Sequence, residues 1–130
     1  MSFTICLLDT FTDPSAKARL DNMITQNIIK EKRILFYHDI LGVKFADVED
    51  LFADADYLAL YNGAFSKKIS EADVDKKTPI MQQLKKKNGG KDFNHYSPAN
   101  YMAKNIAKLS LSDETLDNFE TLFRTVNKRF

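Results

Sequence analysis

The sequence predicts an α/β fold in which a short parallel βαβ unit is followed by about four helices. Two short apolar runs flank one amphipathic segment within residues 1–42, and helical periodicity dominates residues 43–130. The length of 130 residues suits one domain. Hydrophobic residues make up 44% of the chain, which is enough to fill a sizeable core. We therefore expect residues 1–130 to form a single domain.

The first predicted element is a strand over Phe3–Asp9, with the sequence FTICLLD. Its nearly continuous apolar run is typical of a parallel strand that is covered on both faces. Cys6 lies inside this run, and because it is the only cysteine we expect a buried thiol. A lone cysteine also favours a reducing, cytoplasmic location. No apolar run approaches the ~20 residues that span a bilayer, so no membrane contact is expected.

A helix and a second strand follow. Asp13 is a good N-cap, and Pro14 suits the first helical position. The apolar residues of this helix recur at helical spacing: Leu20, Met23, Ile24 and Ile28. The run RILFYHDI (Arg33–Ile40) predicts the second strand. The order strand, helix, strand predicts two parallel strands joined by a right-handed crossover.

The first helix of the second part ends at Phe65. Asp54 or Asp56 can cap its start, and the residues from Tyr57 to Phe65 carry no charge. Its apolar face is formed by Tyr57, Leu58, Tyr61 and Phe65. This pattern predicts a core helix.

Three further helices follow from their start and stop signals. Thr78 and Pro79 open one that stops at residues 88–90, with the sequence NGG. Ser97 and Pro98 repeat the cap-then-proline arrangement for the next. Ser112 opens the last helix, whose apolar stripe comprises Leu116, Phe119, Leu122, Phe123, Val126 and Phe130.

Charge is balanced overall and uneven locally. The net charge of +1 gives no general case for nucleic-acid or membrane binding. Residues 39–56 hold six acids and one lysine, a local net charge of −5, whereas residues 67–91 hold eight lysines and three acids, a local net charge of +5. The two blocks could face different partners.

Acidic residues follow both predicted strands. Asp9 ends the first, Asp39 lies at the end of the second, and Asp47, Glu49 and Asp50 come in the loop beyond it. In open parallel sheets, ligands bind beyond the carboxyl ends of the strands. Clustered carboxylates repel each other unless a cation neutralises them, and Mg²⁺ or Mn²⁺ prefers such oxygen ligands. A solvated loop is the alternative interpretation.

Other motifs are less informative. The sequence contains neither a Walker-type phosphate loop nor GxGxxG, so nucleotide binding of those two kinds is not expected. His38 and His95 are too far apart in sequence to predict a metal site, and packing is the simpler role for each. The lysines at 85–87 suit a solvated helix end, or alternatively a contact with phosphate.

Three segments resemble parts of one protein family. The stretch ADVEDLFADADYLALYNGAF (residues 46–65) is similar to a segment in the C-terminal portion of OLD-family (overcoming-lysogenisation-defect) ATP-dependent endonucleases. FNHYSPANYMAKN (residues 93–105) and LSDETLDNFETLF (residues 111–123) resemble later segments of the same proteins. ICLLD (residues 5–9) then aligns with the strand that carries the acidic motif of the Toprim nuclease domain.

The resemblance implies a partial Toprim-like sheet and cleavage of DNA with Mg²⁺ or Mn²⁺. It implies that Asp9 matches the first acid of the family's Asp-x-Asp pair, although Phe11 stands at the second position. Glu49 and Asp50 fall on the acids of the family's EDLF motif and, with Asp9, become the expected metal ligands and catalytic residues. Lys104 is the expected basic residue of the site.

The family's ATPase and first Toprim strand, with its essential Glu, have no counterpart among these 130 residues. We therefore expect the chain to be inactive in isolation and to act on DNA only with an ATPase domain or a companion chain.

A non-enzymatic interaction module is the alternative. Two strands cannot form a stable sheet alone, so their edges would favour a homodimer or a partner that completes the sheet. In this interpretation the acidic loop and the aromatic helix form the binding surface.

Overall fold

The computed structural model describes residues 4–130, which form a mixed α/β fold that is mostly helical. Within this range there are two strands, β1 (Cys6–Leu8) and β2 (Ile34–Phe36), and six α-helices. The helices are α1 (Pro14–Thr25), α2 (Tyr37–Leu41), α3 (Asp54–Phe65), α4 (Ile80–Lys87), α5 (Tyr96–Asn105) and α6 (Asp113–Asn127). None of these six helices is both long enough and apolar enough to cross a membrane.

The two strands pair in parallel, as predicted. Cys6 lies opposite Ile34, and Leu8 lies opposite Phe36. Each strand has three residues and is shorter than predicted. Phe3, the first residue of the predicted β1, lies outside the described residues.

The strands differ in burial. Ile34 and Leu35 are both buried, so β2 is covered on its two faces. In β1, however, Leu7 is 39% exposed and Cys6 is only half-buried. The expectation of a fully covered β1 with a buried thiol is therefore wrong, because the face with Leu7 is exposed and the face with Cys6 and Leu8 is only partly covered.

The predicted second strand is wrong beyond Phe36. The chain turns there into α2, which ends at Gly42 in the left-handed region with φ of 66°. Tyr37 is buried, and Ile40 packs beside it at helical spacing against α6. This contact favours a helix over a strand. Asp39 is consequently an exposed residue of α2 and does not end a strand.

The helix between the strands begins as predicted. Ser15 donates its backbone N–H to Asp13 Oδ1 at 2.9 Å, and Pro14 is the first helical residue. No residue of α1 is fully buried, however, and its periodic Leu20 and Ile24 are only half-buried. Helix α1 therefore covers the sheet loosely.

Helix α3 is the centre of the larger apolar cluster. Six buried side chains form this cluster: Tyr57, Leu58, Leu60, Tyr61, Ile80 and Leu84. Helix α5 crosses α3 closely at Gly63, where a Cβ atom would lie only 2.2 Å from the ring of Tyr101. A smaller cluster joins α2, residues 46–51 (the acidic segment) and α6 through Tyr37, Ala46, Leu51 and Leu122.

Two predicted helix starts are corrected. Ala53 occupies the N-cap of α3, so neither Asp54 nor Asp56 caps that helix. Helix α5 begins at Tyr96, which places Ser97 and Pro98 inside its first turn.

Two other helix signals are confirmed. Helix α4 stops at Asn88, and the two glycines after it have positive φ, 68° at Gly89 and 78° at Gly90. Ser112 caps α6 by accepting the Thr115 N–H on its hydroxyl.

Candidate functional site

The end of β1 is tied to the segment that carries the acids. Thr10 donates its N–H to the Ala46 carbonyl at 3.0 Å, and Ala46 donates its N–H to Thr10 Oγ1 at 3.0 Å. Two residues further, Val48 donates its N–H to Asp9 Oδ1 at 3.1 Å. These three hydrogen bonds hold the acidic segment at the carboxyl end of β1.

Within the acidic segment, Val48–Leu51 form a 3₁₀ helix whose start at Asp47 is closed by the Asp50 side chain. Asp47 donates its N–H to Asp50 Oδ2 at 2.8 Å, and Ile80 at the start of α4 donates its N–H to Asp50 Oδ1 at 2.9 Å. Leu51 is fully buried beneath the turn. Asp50 therefore links this segment to α4, in addition to its predicted role as a metal ligand.

The carboxyl groups of this segment influence one another. Burial, followed by the charges of Asp9, Asp50 and Glu49, raises the pKa of Asp47 to about 6. Burial also raises the pKa of Glu49 and of Asp50, although the amides of Asp47 and Ile80 act in the opposite direction on Asp50. Such mutual repulsion is relieved by any cation that binds between these groups.

Glu49 has a histidine neighbour. His95 Nδ1 lies 3.6 Å from Glu49 Oε1, and the side chain of Glu49 is 15% exposed whereas that of His95 is 60% exposed. When the His95 ring is protonated, its charge opposes the effect of burial on the Glu49 pKa. Beside this pair lies a cavity of about 170 Å³ with mostly apolar walls, which include Phe52, Tyr57 and Met102.

The structure brings three of the four predicted site residues near one another. Asp9, Glu49 and Asp50 belong to one electrostatic cluster at the end of β1. Lys104 does not join them: it lies in the last turn of α5, is exposed, and forms no ion pair with an acid of the described chain. Among residues 4–130, no group of three or more His, Cys, Asp or Glu side chains has the arrangement that would hold a metal ion.

Sequence reasoning missed two histidine contacts. His38 Nδ1 lies 2.7 Å from Thr10 Oγ1, and its ring stacks on Phe36 at 4.9 Å between centroids. This contact orients the residue that binds Ala46. The contact between His95 and Glu49 spans even more of the chain. The two residues of each pair lie far apart in the sequence, so no local sequence signal could have revealed the contact.

Replacing Asp47 by Asn is expected to stabilise the chain at pH 7 and to have little effect at pH 4. In the folded chain the pKa of Asp47 is about 6, well above the ordinary 3.8. Below about pH 4 Asp47 is protonated in both the folded and the unfolded chain, so it costs no stability. As the pH rises through about 6, the unfolded chain releases this proton more readily than the folded chain, and the fold loses stability. Thermal unfolding should show a gain of about 1 kcal/mol at pH 7, after allowance for solvent screening. Equal gains at both pH values would contradict this origin.

No protein-family model matches the chain, and neither a curated protein nor a solved structure is significantly similar to it. Its function is therefore inferred from its own residues.

Proposed function

We propose that this chain is the C-terminal part of a Toprim-like, metal-dependent DNA endonuclease of an OLD-type ATPase. The supporting observation is the cluster of carboxyl groups at the end of β1, where Asp9 meets the segment that carries Asp47, Glu49 and Asp50. Ligand sites of parallel sheets lie at such strand ends. The protein would act in the cytoplasm, where the thiol of Cys6 stays reduced.

In this proposal, Mg²⁺ or Mn²⁺ is held by Asp9, Glu49 and Asp50. Each of them retains capacity for a cation: Asp9 uses only Oδ1 in a hydrogen bond, and the oxygens of Asp50, which accept amide protons, have further lone pairs. A bound divalent ion activates water and stabilises the charge that develops on a phosphodiester. The residues of this chain would bind and orient that ion beside the DNA phosphate.

The chain alone is expected to be catalytically silent. Metal-assisted hydrolysis needs a complete set of ligands, and the described residues hold no ready group of three. The remaining ligands and the basic group would come from an ATPase domain or a companion chain. The exposed position of Lys104 on α5 gives it no contact with the acids in this conformation, so its part in the site requires such a partner.

Calorimetric titration with Mn²⁺ tests the metal site. We expect weak binding to the native chain and its loss in Glu49→Gln, which removes one charge from the cluster. Asp21→Asn is the matched control, because this exposed carboxylate lies on α1 and pairs with Lys17. Binding should persist in that control. No binding to the native chain, or equal binding in Glu49→Gln, would refute the site.

A plasmid-nicking assay tests whether the chain acts alone. We expect no Mg²⁺-dependent nicking by the purified chain. Robust nicking that Asp9→Ala abolishes would show that the chain holds a complete active site and would refute the need for a partner.

A non-enzymatic module that completes a partner is the second candidate. It is favoured by the N-terminal unit, meaning β1 and α1, because this unit leaves apolar surface uncovered. Helix α1 has no fully buried residue, and Leu7 of β1 is exposed. Tyr57 and Tyr61 of α3 are buried, so in this candidate the binding surface would lie mainly at β1 and α1. An absence of Mn²⁺ binding, together with association through the N-terminal unit, would favour this candidate.

A further inference from the structure

Helix α6 carries apolar side chains on a side that faces away from its own core. Thr115 and Leu122 are buried, whereas the residue after each, Leu116 and Phe123, is 51% and 61% exposed respectively. Leu116 and Phe123 are seven residues apart, so they lie on the same side of the helix, two turns from each other. We call this pair the α6 stripe. The chain's own core therefore buries only one side of α6 and leaves the α6 stripe exposed.

Charges along α6 are divided between its two halves. Three acids lie in the first half, at Asp113, Glu114 and Asp117, whereas the basic residues Arg124, Lys128 and Arg129 lie near and beyond its end. Glu120 lies at the middle of the helix and forms an ion pair with Arg124 of the same helix. Within one helix this order complements the helix dipole. Between two helices it favours an antiparallel pair, because a parallel pair would place acids against acids and bases against bases.

We infer that the α6 stripe is the interface with a second copy of this chain, formed by antiparallel packing of the two α6 helices. Leu116 of each copy lies against Phe123 of the other, which gives the self-complementary contact of a two-fold dimer. The same register brings Asp117 within about one helical turn of Arg124 of the second copy. This inference does not depend on the proposed metal site.

The size of the interface predicts weak association. Helix α6 has 15 residues and is therefore about 22 Å long. One pair of helices of this length buries less area than the roughly 1,200 Å² of a stable interface, so the dimer should form reversibly.

Sedimentation velocity at micromolar protein concentrations tests whether the chain dimerises through the α6 stripe. The native chain should change from monomer to dimer as its concentration rises, and Phe123→Glu should weaken association at least about tenfold. Thr121→Glu is the matched control, because Thr121 is an exposed residue on another side of α6. Circular dichroism checks that each variant is folded. A native chain that stays monomeric, or a Phe123→Glu chain that associates normally, would overturn the inference.

Charge reversal tests the orientation. Asp117→Lys alone and Arg124→Glu alone each place like charges across an antiparallel pair, so each should weaken the dimer. Arg124→Glu also removes the ion pair with Glu120 of the same helix, so circular dichroism must show that α6 stays folded in this variant. The chain that carries both changes restores opposite charges and should dimerise as the native chain does. In a parallel pair the double variant would still place like charges together. Failure of the double variant to recover would therefore refute the antiparallel arrangement.

Discussion

An Asp56→Ala variant should lose about 3 kcal/mol of unfolding free energy at pH 7 in urea denaturation. The Asp56 carboxylate accepts the backbone N–H of Ser112 at 2.9 Å, its hydroxyl at 2.7 Å, and the hydroxyl of the fully buried Thr115. It also lies at the N-terminus of α6, where a negative charge is favourable. Alanine would leave these donors without their acceptor and would loosen α6 from α3.

The neighbouring acid provides the control for this prediction. Asp54 lies two residues earlier in α3, and burial with the charges of Asp50 and Glu114 raises its pKa. Its ionised form is therefore not stabilised by the fold, and Asp54→Ala should change stability by no more than about 0.5 kcal/mol. Equal losses of unfolding free energy in the two variants would show that the hydrogen bonds from Asp56 to Ser112 and Thr115 do not account for the effect.

The Asp56 effect should also depend on pH. Burial alone would raise its pKa, but the hydrogen bonds from Thr115 and Ser112 outweigh burial and lower it below the ordinary 3.8. A carboxyl group with a lowered pKa stabilises the fold above the unfolded value and loses this effect as the pH falls through the folded value. The difference between native chain and Asp56→Ala should therefore narrow below about pH 4.

Asp50→Ala should cost about 2 kcal/mol in the same measurement. The two oxygens of Asp50 accept the amide protons of Asp47 and Ile80, which are 33 residues apart in the sequence. Without the carboxylate both donors lose their partners, and relief of charge repulsion offsets only part of the loss. Hydrogen exchange at the Ile80 amide should become faster, because this amide loses its hydrogen-bond acceptor.

The adjacent acid separates this effect from a general change in charge. Glu49→Gln removes a carboxyl group whose pKa burial raises, and it removes no hydrogen bond that closes the turn. Its stability should stay equal to that of the native chain or rise slightly at pH 7. A loss as large as that of Asp50→Ala would contradict the structural role assigned to Asp50.

These comparisons divide four acids, Asp47, Glu49, Asp50 and Asp56, into two groups. Asp50 and Asp56 bind backbone or hydroxyl donors and join elements that are distant in the sequence. Asp47 and Glu49 are buried beside like charges, which leaves their ionised forms unfavourable. Burial raises the pKa of Asp50 as well, so in the proposed site Asp50 would combine its structural role with metal binding beside Glu49 and Asp9.

Local sequence signals determined the start of α1, the end of α4 and the start of α6. The Asp13 cap, the Ser112 cap and the glycines after α4 act within one helical turn, so the residues themselves contain the needed information. The uncharged run of α3 likewise predicted a core helix. The signal failed at residues 37–41, where an apolar run fits a strand or a helix and packing against α6 selects the helix.

Only the tertiary structure decided which acids meet and what they bind. Asp9 reaches Val48 across 39 residues, and Asp56 reaches Thr115 across 59 residues. No local rule specifies such pairings, because they depend on how α2, α3 and α6 pack around their shared apolar clusters. The sequence by itself determined that carboxylates gather after β1 and before α3. The packing of distant elements determined that Asp50 and Asp56 hold the fold together while Asp47 and Glu49 lie beside like charges.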